Sequence, residues 1–256
     1  ACSGFIYATN MAAQSIRSGS IKNALVIGSE TLSRFVNWKD RSTCILFGDG
    51  AGAFILQASD RPGGVLSAVM HSDGSGADSL TLLGGGARFP ATEATLHEGK
   101  HYVQMDGKAV FRFATRVMGS ATKEALELAG LTTADVDLIV PHQANLRIIE
   151  TAAKYLKMPL DKFMINVDRY GNTSTASIPI AAVEAVEKGR LKSGNKVVFV
   201  GFGAGLTWGA LVAEWTGPIP TKKQVRPEQY RLFARLRSLL RRGLRFIEGL
   251  FSRREL

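Results

Sequence analysis

Three residues far apart in the sequence, Cys2, His142 and Asn172, are of types that could share one reaction. Cys2 stands in Ala1-Cys-Ser-Gly-Phe5, at the first turn of a helix expected to run to about Ser18. The unpaired N–H groups and positive dipole end of that helix would lower a thiol pKa below its free value of about 8.5, making a nucleophile at neutral pH. The plainer alternative is a buried, inert cysteine acting as a small hydrophobe. His142 follows the apolar run Leu138-Ile-Val-Pro141 and precedes a helix, a position where α/β folds put functional groups. A hydrogen-bonded loop histidine would look the same. Asn172, in Tyr170-Gly-Asn-Thr-Ser-Thr-Ala176, also precedes a helix, where Asn and Ser are ordinary caps. Gly201-Phe-Gly-Ala-Gly-Leu-Thr-Trp-Gly209 is a turn whose backbone N–H groups could reach a ligand or simply close a hairpin. Together these segments supply a nucleophile, a proton-handling group, an amide donor and an oxyanion site.

The elements that must position them follow from periodicity. Residues 3–18 read as a helix ended by Gly19, and Ala24 to Gly28 as a strand buried on both faces. Cys44 to Phe47 and Ala53 to Leu56 read as one further strand with a glycine kink, and Val65 to Met70 as another. Gly84 to Gly99 is a polar excursion. Then come a helix over Val110–Ala129, a strand over Val136–Val140, a helix over Asn145–Lys157, a strand over Phe163–Val167 and a helix over Ser174–Lys188. Strands at Lys196–Phe202 and Leu206–Trp215 complete an α/β pattern of helices covering sheet.

A chain of 256 residues with 45% hydrophobic content and mean hydropathy +0.04 is globular in composition and carries no apolar run of membrane-span length. Two cysteines are too few for a disulfide framework, which predicts a reducing, cytoplasmic setting. The net charge of +10 suggests nucleic acid until it is located: from Lys222 onward there are eleven Lys/Arg against three Glu, so the tail holds +8. The body gives no ground for a nucleic-acid partner.

An offset of 170 residues superposes Ser18-Gly-Ser-Ile-Lys22 on Lys188-Gly-Arg-Leu-Lys192, and a helix, strand, strand order follows twice. The expected domains are therefore residues 1–59, the remainder of an N-terminal half that is truncated before the nucleophile, 63–216 as the second half, and a linker and tail over 217–256. The second half has a long lead-in and the first has almost none, so roughly 100 residues are expected to be missing before Ala1. The same offset lays Cys2 on Asn172, which predicts that the two helix starts meet.

Five ordered motifs carry a resemblance: Ala1-Cys-Ser-Gly-Phe5, Phe47-Gly-Asp-Gly-Ala-Gly-Ala53, Val140-Pro-His-Gln-Ala-Asn-Leu-Arg-Ile-Ile149, Gly171-Asn-Thr-Ser174 and Gly203-Ala-Gly-Leu-Thr-Trp-Gly209. Over about residues 1 to 216 the chain resembles the β-ketoacyl-acyl-carrier-protein synthase III family, condensing enzymes with a thiolase-like fold of two duplicated halves. The resemblance implies initiation of fatty-acid biosynthesis: Cys2 takes an acyl group, acetyl in the first instance, from acyl-CoA, and His142 and Asn172 stabilise the enolate left when malonyl-acyl-carrier protein loses CO2. The N–H groups of Cys2 and Ala204 would form the oxyanion hole; Ala204 stands where the family usually has Gly. Arg41, Asn145 and Arg147 would contact coenzyme A or phosphopantetheine. Arg112, Arg147 and Lys154 would receive an acidic acyl carrier protein, a solvated basic face being the alternative. A homodimer is implied; no metal is, nor any cofactor beyond the thioester substrates. Asp49 and the glycines at 84–86 are read as structural, and Cys44 as core.

Related ketosynthases of polyketide or signal synthesis use the same three residues, whereas thiolases often have His in place of Asn172. A cysteine hydrolase with Cys, His and Asn in this order needs neither the repeat nor the His142-Gln-Ala-Asn-Leu-Arg147 run. A non-catalytic fragment is a third reading. Outside the resemblance, Pro227 to about Phe251 has helical period: Leu232, Phe233, Leu236, Leu239, Leu240, Leu244, Phe246, Ile247, Leu250 and Phe251 fill an arc of about 160°, with arginines opposite. Such a helix suits an anionic membrane interface, packing on the body or a dimer, or an acidic carrier protein.

Overall fold

The structure, a computed structural model, describes residues 1–217 together with Phe233 and residues 236–240. In chain order its elements are helix α1 (Gly4–Arg17), strand β1 (Asn23–Thr31), helix α2 (Arg41–Cys44), strands β2 (Asp49–Gln57), β3 (Gly64–Ser72) and β4 (Leu80–Thr81), helix α3 (Glu93–His97), strand β5 (Gln104–Met105), helix α4 (Gly107–Leu128), strand β6 (Leu138–Pro141), helices α5 (Leu146–Leu156), α6 (Val167–Tyr170) and α7 (Ser177–Glu187), and strands β7 (Lys196–Gly203) and β8 (Thr207–Glu214).

Helix α4 begins where the Asp106 carboxylate accepts from the N–H groups of Lys108 and Ala109, and it buries Val110, Phe113, Ala114, Val117, Met118, Ala121 and Ala125 at helical spacing. Asn145 caps α5 in the same way through Arg147 N–H, and Lys157 ends that helix in the left-handed conformation. Both helices cover one face of a four-stranded sheet ordered β3-β8-β7-β6, in which only β6 and β7 run parallel. Alternation along the strands divides the core: Val198, Val200, Ala210 and Val212 face α4 and α5, whereas Val197, Phe199, Leu211 and Ala213 face α1 and α7. Burying a side chain such as Ile149 or Ile178, both fully enclosed, contributes about 1.5–3 kcal/mol.

Helices α1 and α7 form a layer between this sheet and a second, antiparallel pair β1-β2. Phe54 of β2 reaches through that layer, its ring 4.8 Å from Phe5, 5.5 Å from Phe199 and 5.6 Å from Trp215. The repeated order is thus α1-β1-β2 and α7-β7-β8, and the fold is the layered α/β arrangement of two similar halves expected from sequence. Residues Ala1–Ile219 form one compact unit and Pro220–Leu256 another.

Two expected strands take other forms. Cys44 to Phe47 is not a strand: Asp40 accepts from the N–H and hydroxyl of Ser42 and from the Thr43 hydroxyl, which starts the short helix α2 instead. Cys44 is consequently half-buried at its end rather than in a core strand. Phe163–Val167 makes a single bridge, Ile139 to Phe163, because the Gln143 side chain then takes over: its amide donates to Met164 O and its carbonyl accepts from Asn166 N–H. The helix expected over Pro227–Phe251 lies mostly outside the described residues; Phe233 and residues 236–240 are helical, and Phe233, Leu236, Leu239 and Leu240 are exposed. Among the described residues no helix is long and apolar enough to cross a membrane.

Candidate active site

The end of β7 is where the predicted residues meet. Gly201 and Gly203 lie on the same face of that strand. A Cβ on Gly201 would stand 3.3 Å from His142 Cβ, and one on Gly203 would stand 2.7 Å from the backbone nitrogen of Cys2 and 3.2 Å from its Cβ. Two positions on one strand face are about 7 Å apart, so His142 and Cys2 are seated side by side. Absence of side chains at 201 and 203 is what admits both. His142 is further fixed by its N–H bond to Val200 O, 2.7 Å, and by the Phe202 ring at 5.4 Å.

Asn172 enters from the turn before α7. Its backbone is stitched to the segment before β2, with Asn172 N–H donating to Leu46 O at 2.8 Å and Gly48 N–H donating to Asn172 O at 2.9 Å. Its Oδ1 accepts from Ser174 N–H at 2.8 Å, and its amide nitrogen has no hydrogen-bond partner among the described residues. Ser174, at φ 49°, is buried, and its side chain acts to lower the Cys2 pKa. The next residue, Thr175, donates to Glu30 Oε1 from its hydroxyl at 2.6 Å and touches α1 where Gly4 lacks a Cβ. The helix starts of the two halves therefore meet, as the 170-residue offset predicts.

Electrostatics correct one expectation. Cys2 is buried, and burial pushes its thiol above the ordinary value; the Ser174 side chain acts against this, and Glu30 adds to it. The helix start does not win, because removing a thiolate from water costs more than one partial charge returns. His142 is also fully enclosed, and burial holds its pKa down to about 3. Its Nδ1 lies 2.6 Å from the Ser177 hydroxyl, and Nε2 has no hydrogen-bond partner among the described residues.

Ala204 follows Gly203, the last β7 residue paired with β8, opposite Thr207. Arg112 and Arg147 share a cleft of about 390 Å3 with Gly107, Lys108 and Phe111. Lys154, exposed two turns along α5, does not line it. Asn145 is engaged as the α5 cap. Arg41 is exposed on α2, outside that cleft. Lys108, missed in the sequence, was recoverable as the residue one turn before Arg112. Ser177 and Glu30 were also missed, and Ser174 and the glycines at 201 and 203 were singled out only as a cap and a turn, since their part depends on burial beside Cys2 and His142. A second cavity, about 460 Å3, is lined by residues including Arg169, Glu184 and Lys188 and holds none of the three reacting candidates.

Comparison with known proteins gives concordant matches. Residues 1–74 match the model of 3-oxoacyl-[acyl-carrier-protein] synthase III, and residues 126–215 that of its C-terminal part. The chain is similar to β-ketoacyl-[acyl-carrier-protein] synthase III of Symbiobacterium thermophilum, 54% identical over 215 residues, covering 84% of this chain and 65% of that protein. It is 51% identical over 216 residues to the protein of the same name from Roseiflexus castenholzii, covering 84% and 66%. The crystal structure of the Thermus thermophilus synthase III superposes with a TM-score of 0.78 at 46% identity, over 85% of this chain and 66% of that one. The chain thus spans just under two thirds of the length of the relatives it matches.

Proposed function

The chain belongs to the 3-oxoacyl-acyl-carrier-protein synthase III family, and on that premise we propose that it carries the reacting residues of a decarboxylative condensation between an acyl-CoA, acetyl-CoA in the first instance, and malonyl-acyl-carrier protein. The observation that carries this reading is the convergence of Cys2, His142 and Asn172 on the glycine face of β7 and the turn before α7.

In the proposed first half-reaction Cys2 Sγ attacks the thioester carbonyl, its proton leaves with the coenzyme A thiol, and an acyl-Cys2 thioester remains. The N–H groups of Cys2 and Ala204 hold the oxyanion of the tetrahedral intermediate. In the second, malonyl thioester loses CO2 and its electron pair becomes an enolate, which attacks the acyl carbonyl; Cys2 leaves as thiolate and regains a proton. His142 and Asn172 suit the enolate oxygen. A histidine held neutral down to about pH 3 is a weak base near pH 7 but a sound N–H donor, and Asn172 has its amide nitrogen free of Ser174. Neither opposes negative charge.

Arg112 and Arg147, with Lys108, would take the acidic carrier protein at their shared cleft, Lys154 extending the rim; Arg41, Asn145 and Arg147 would contact the coenzyme A or phosphopantetheine arm. We further read the active form as a cytoplasmic homodimer, and the basic tail as a lipid-facing element: exposed Phe233, Leu236, Leu239 and Leu240 beside eleven cationic residues suit an anionic bilayer surface.

Intact-mass measurement after acetyl-CoA tests the chemistry. Acetylation should be lost in Cys2→Ala, while His142→Ala should keep acyl transfer better than malonyl decarboxylation. Acetylation of Cys2→Ala at the same site would overturn the assignment.

A further inference from the structure

Ser177 is absent from the reaction scheme above, yet it is the only described hydrogen-bond partner of the His142 ring, at 2.6 Å from Nδ1. Both groups are enclosed, with Ser177 2% and His142 1% exposed. A neutral imidazole carries its proton on one nitrogen, and the partner of the other decides which. Two arrangements fit that contact. In the first, Nδ1–H donates to Ser177 Oγ; the serine hydrogen then needs another acceptor, and none is recorded among the described residues. In the second, Ser177 O–H donates to Nδ1, the hydroxyl is satisfied, and the remaining proton sits on Nε2. Buried hydroxyl hydrogens without acceptors are avoided in native structures. Every enclosed side-chain polar atom in the described structure has a partner, so Nε2, which has none, is open to the site, where its proton can meet water or substrate.

The usual local explanation for a serine at this place does not apply. Helix α7 starts at Ser177 after Ala176, with no side-chain cap bond, so the hydroxyl is free to be spent on the histidine. The same turn orients the second donor, since Ser174 N–H to Asn172 Oδ1, at 2.8 Å, leaves the amide nitrogen as the end without a partner among the described residues.

We propose that Ser177 is a positioning residue that selects the Nε2–H tautomer of His142, so that the 174–177 turn presets His142 and Asn172 as two N–H donors aimed at one oxyanion. The catalytic consequence rests on the condensation reading; the tautomer does not. A donor lost to the wrong tautomer weakens decarboxylation through His142 while sparing acyl transfer to Cys2, and a change equal to one ordinary hydrogen bond is on the order of tenfold.

The test is 15N-histidine NMR of the full chain, with His142 identified by the signal missing from His142→Gln. The wild type should show a protonated Nε2 and an unprotonated Nδ1, Ser177→Ala should show a mixture of tautomers, and Ser177→Thr should restore the wild-type pattern. In parallel, kcat for malonyl decarboxylation should fall about tenfold in Ser177→Ala, with acetylation of Cys2 unchanged. A wild-type spectrum with Nδ1 protonated overturns the proposal even if no Ser177 variant folds, as does an unchanged spectrum in Ser177→Ala. A chain without condensing activity but with the expected spectra refutes the reaction and leaves the tautomer assignment standing.

Discussion

Acidification should destabilise the fold through His142 in particular. Burial holds this imidazole at a pKa of about 3, against 6.5 for the ordinary group. Between those values the unfolded chain binds a proton at this site that the folded chain refuses, so stability rises with pH there and is lost as pH falls. Above pH 6.5 the site contributes no pH dependence. At pH 5 the unfolded imidazole is about 1.5 pH units below its own pKa, and at about 1.4 kcal/mol per unit the loss is about 2 kcal/mol. Below pH 3 the loss levels off, because both states are then protonated. Urea unfolding of the wild type and of His142→Gln at pH 8 and pH 5 reads the term as a difference of differences. The variant keeps a polar group opposite Ser177 without titrating, and His71, His97 and His101 cancel. The wild type should lose about 2 kcal/mol more than the variant. Equal losses would refute a neutral, enclosed imidazole and with it the donor role built on it.

Gly203→Ala would drive a methyl to 2.7 Å from the Cys2 backbone nitrogen; we expect a stability loss of about 1–3 kcal/mol and loss of acetylation by intact mass, and a normally acetylated variant would remove the glycine face from the site. Because burial raises the Cys2 thiol, its alkylation by iodoacetamide, followed on the Cys2 peptide, should keep accelerating past the ordinary thiol pKa of about 8.5. A rate already level at pH 7 contradicts that. Deleting residues 222–256 should abolish co-sedimentation with anionic vesicles at low salt while the acetylation of Cys2 persists; a deletion that unfolds residues 1–217 would favour a packing role for the tail.

Legibility in the sequence followed the range of the forces involved. Helices α1, α4 and α5 and strands β7 and β8 were readable because apolar period and local caps agree, as at Asp106 and Asn145. The offset linking Cys2 to Asn172 was readable because duplication repeats spacing. The two false strands failed where a side chain outcompeted an apolar run: Asp40 before Cys44, and Gln143 beside Asn166. Apolar content at 44–47 and 163–167 reports burial but not which backbone partner is within reach. Ser174 looked like a helix cap and Ser177 like an ordinary helical residue, and only the packing of α7 beside β6 and β7 shows that one lies at Cys2 and the other at His142.

The same packing changes what the site is built to do. A helix start beside a cysteine suggests a thiolate held ready, yet the enclosed Cys2 is pushed toward the thiol and the enclosed His142 toward the neutral imidazole. Both shifts come from loss of water, which penalises any charge. Glu30, the carboxylate that adds to the Cys2 shift, has its Oε1 held by the N–H and hydroxyl of Thr175 at 3.2 and 2.6 Å. With Cys2 and His142 both pushed toward their neutral forms, the proposed stabilisation of an oxyanion rests on oriented dipoles. Oriented dipoles act strongly only where water is excluded and their directions are fixed beforehand. On the proposed reading, the burial that slows ionisation of Cys2 is thus the condition under which an imidazole N–H and an amide N–H, set by Ser177 and Ser174, would hold an enolate.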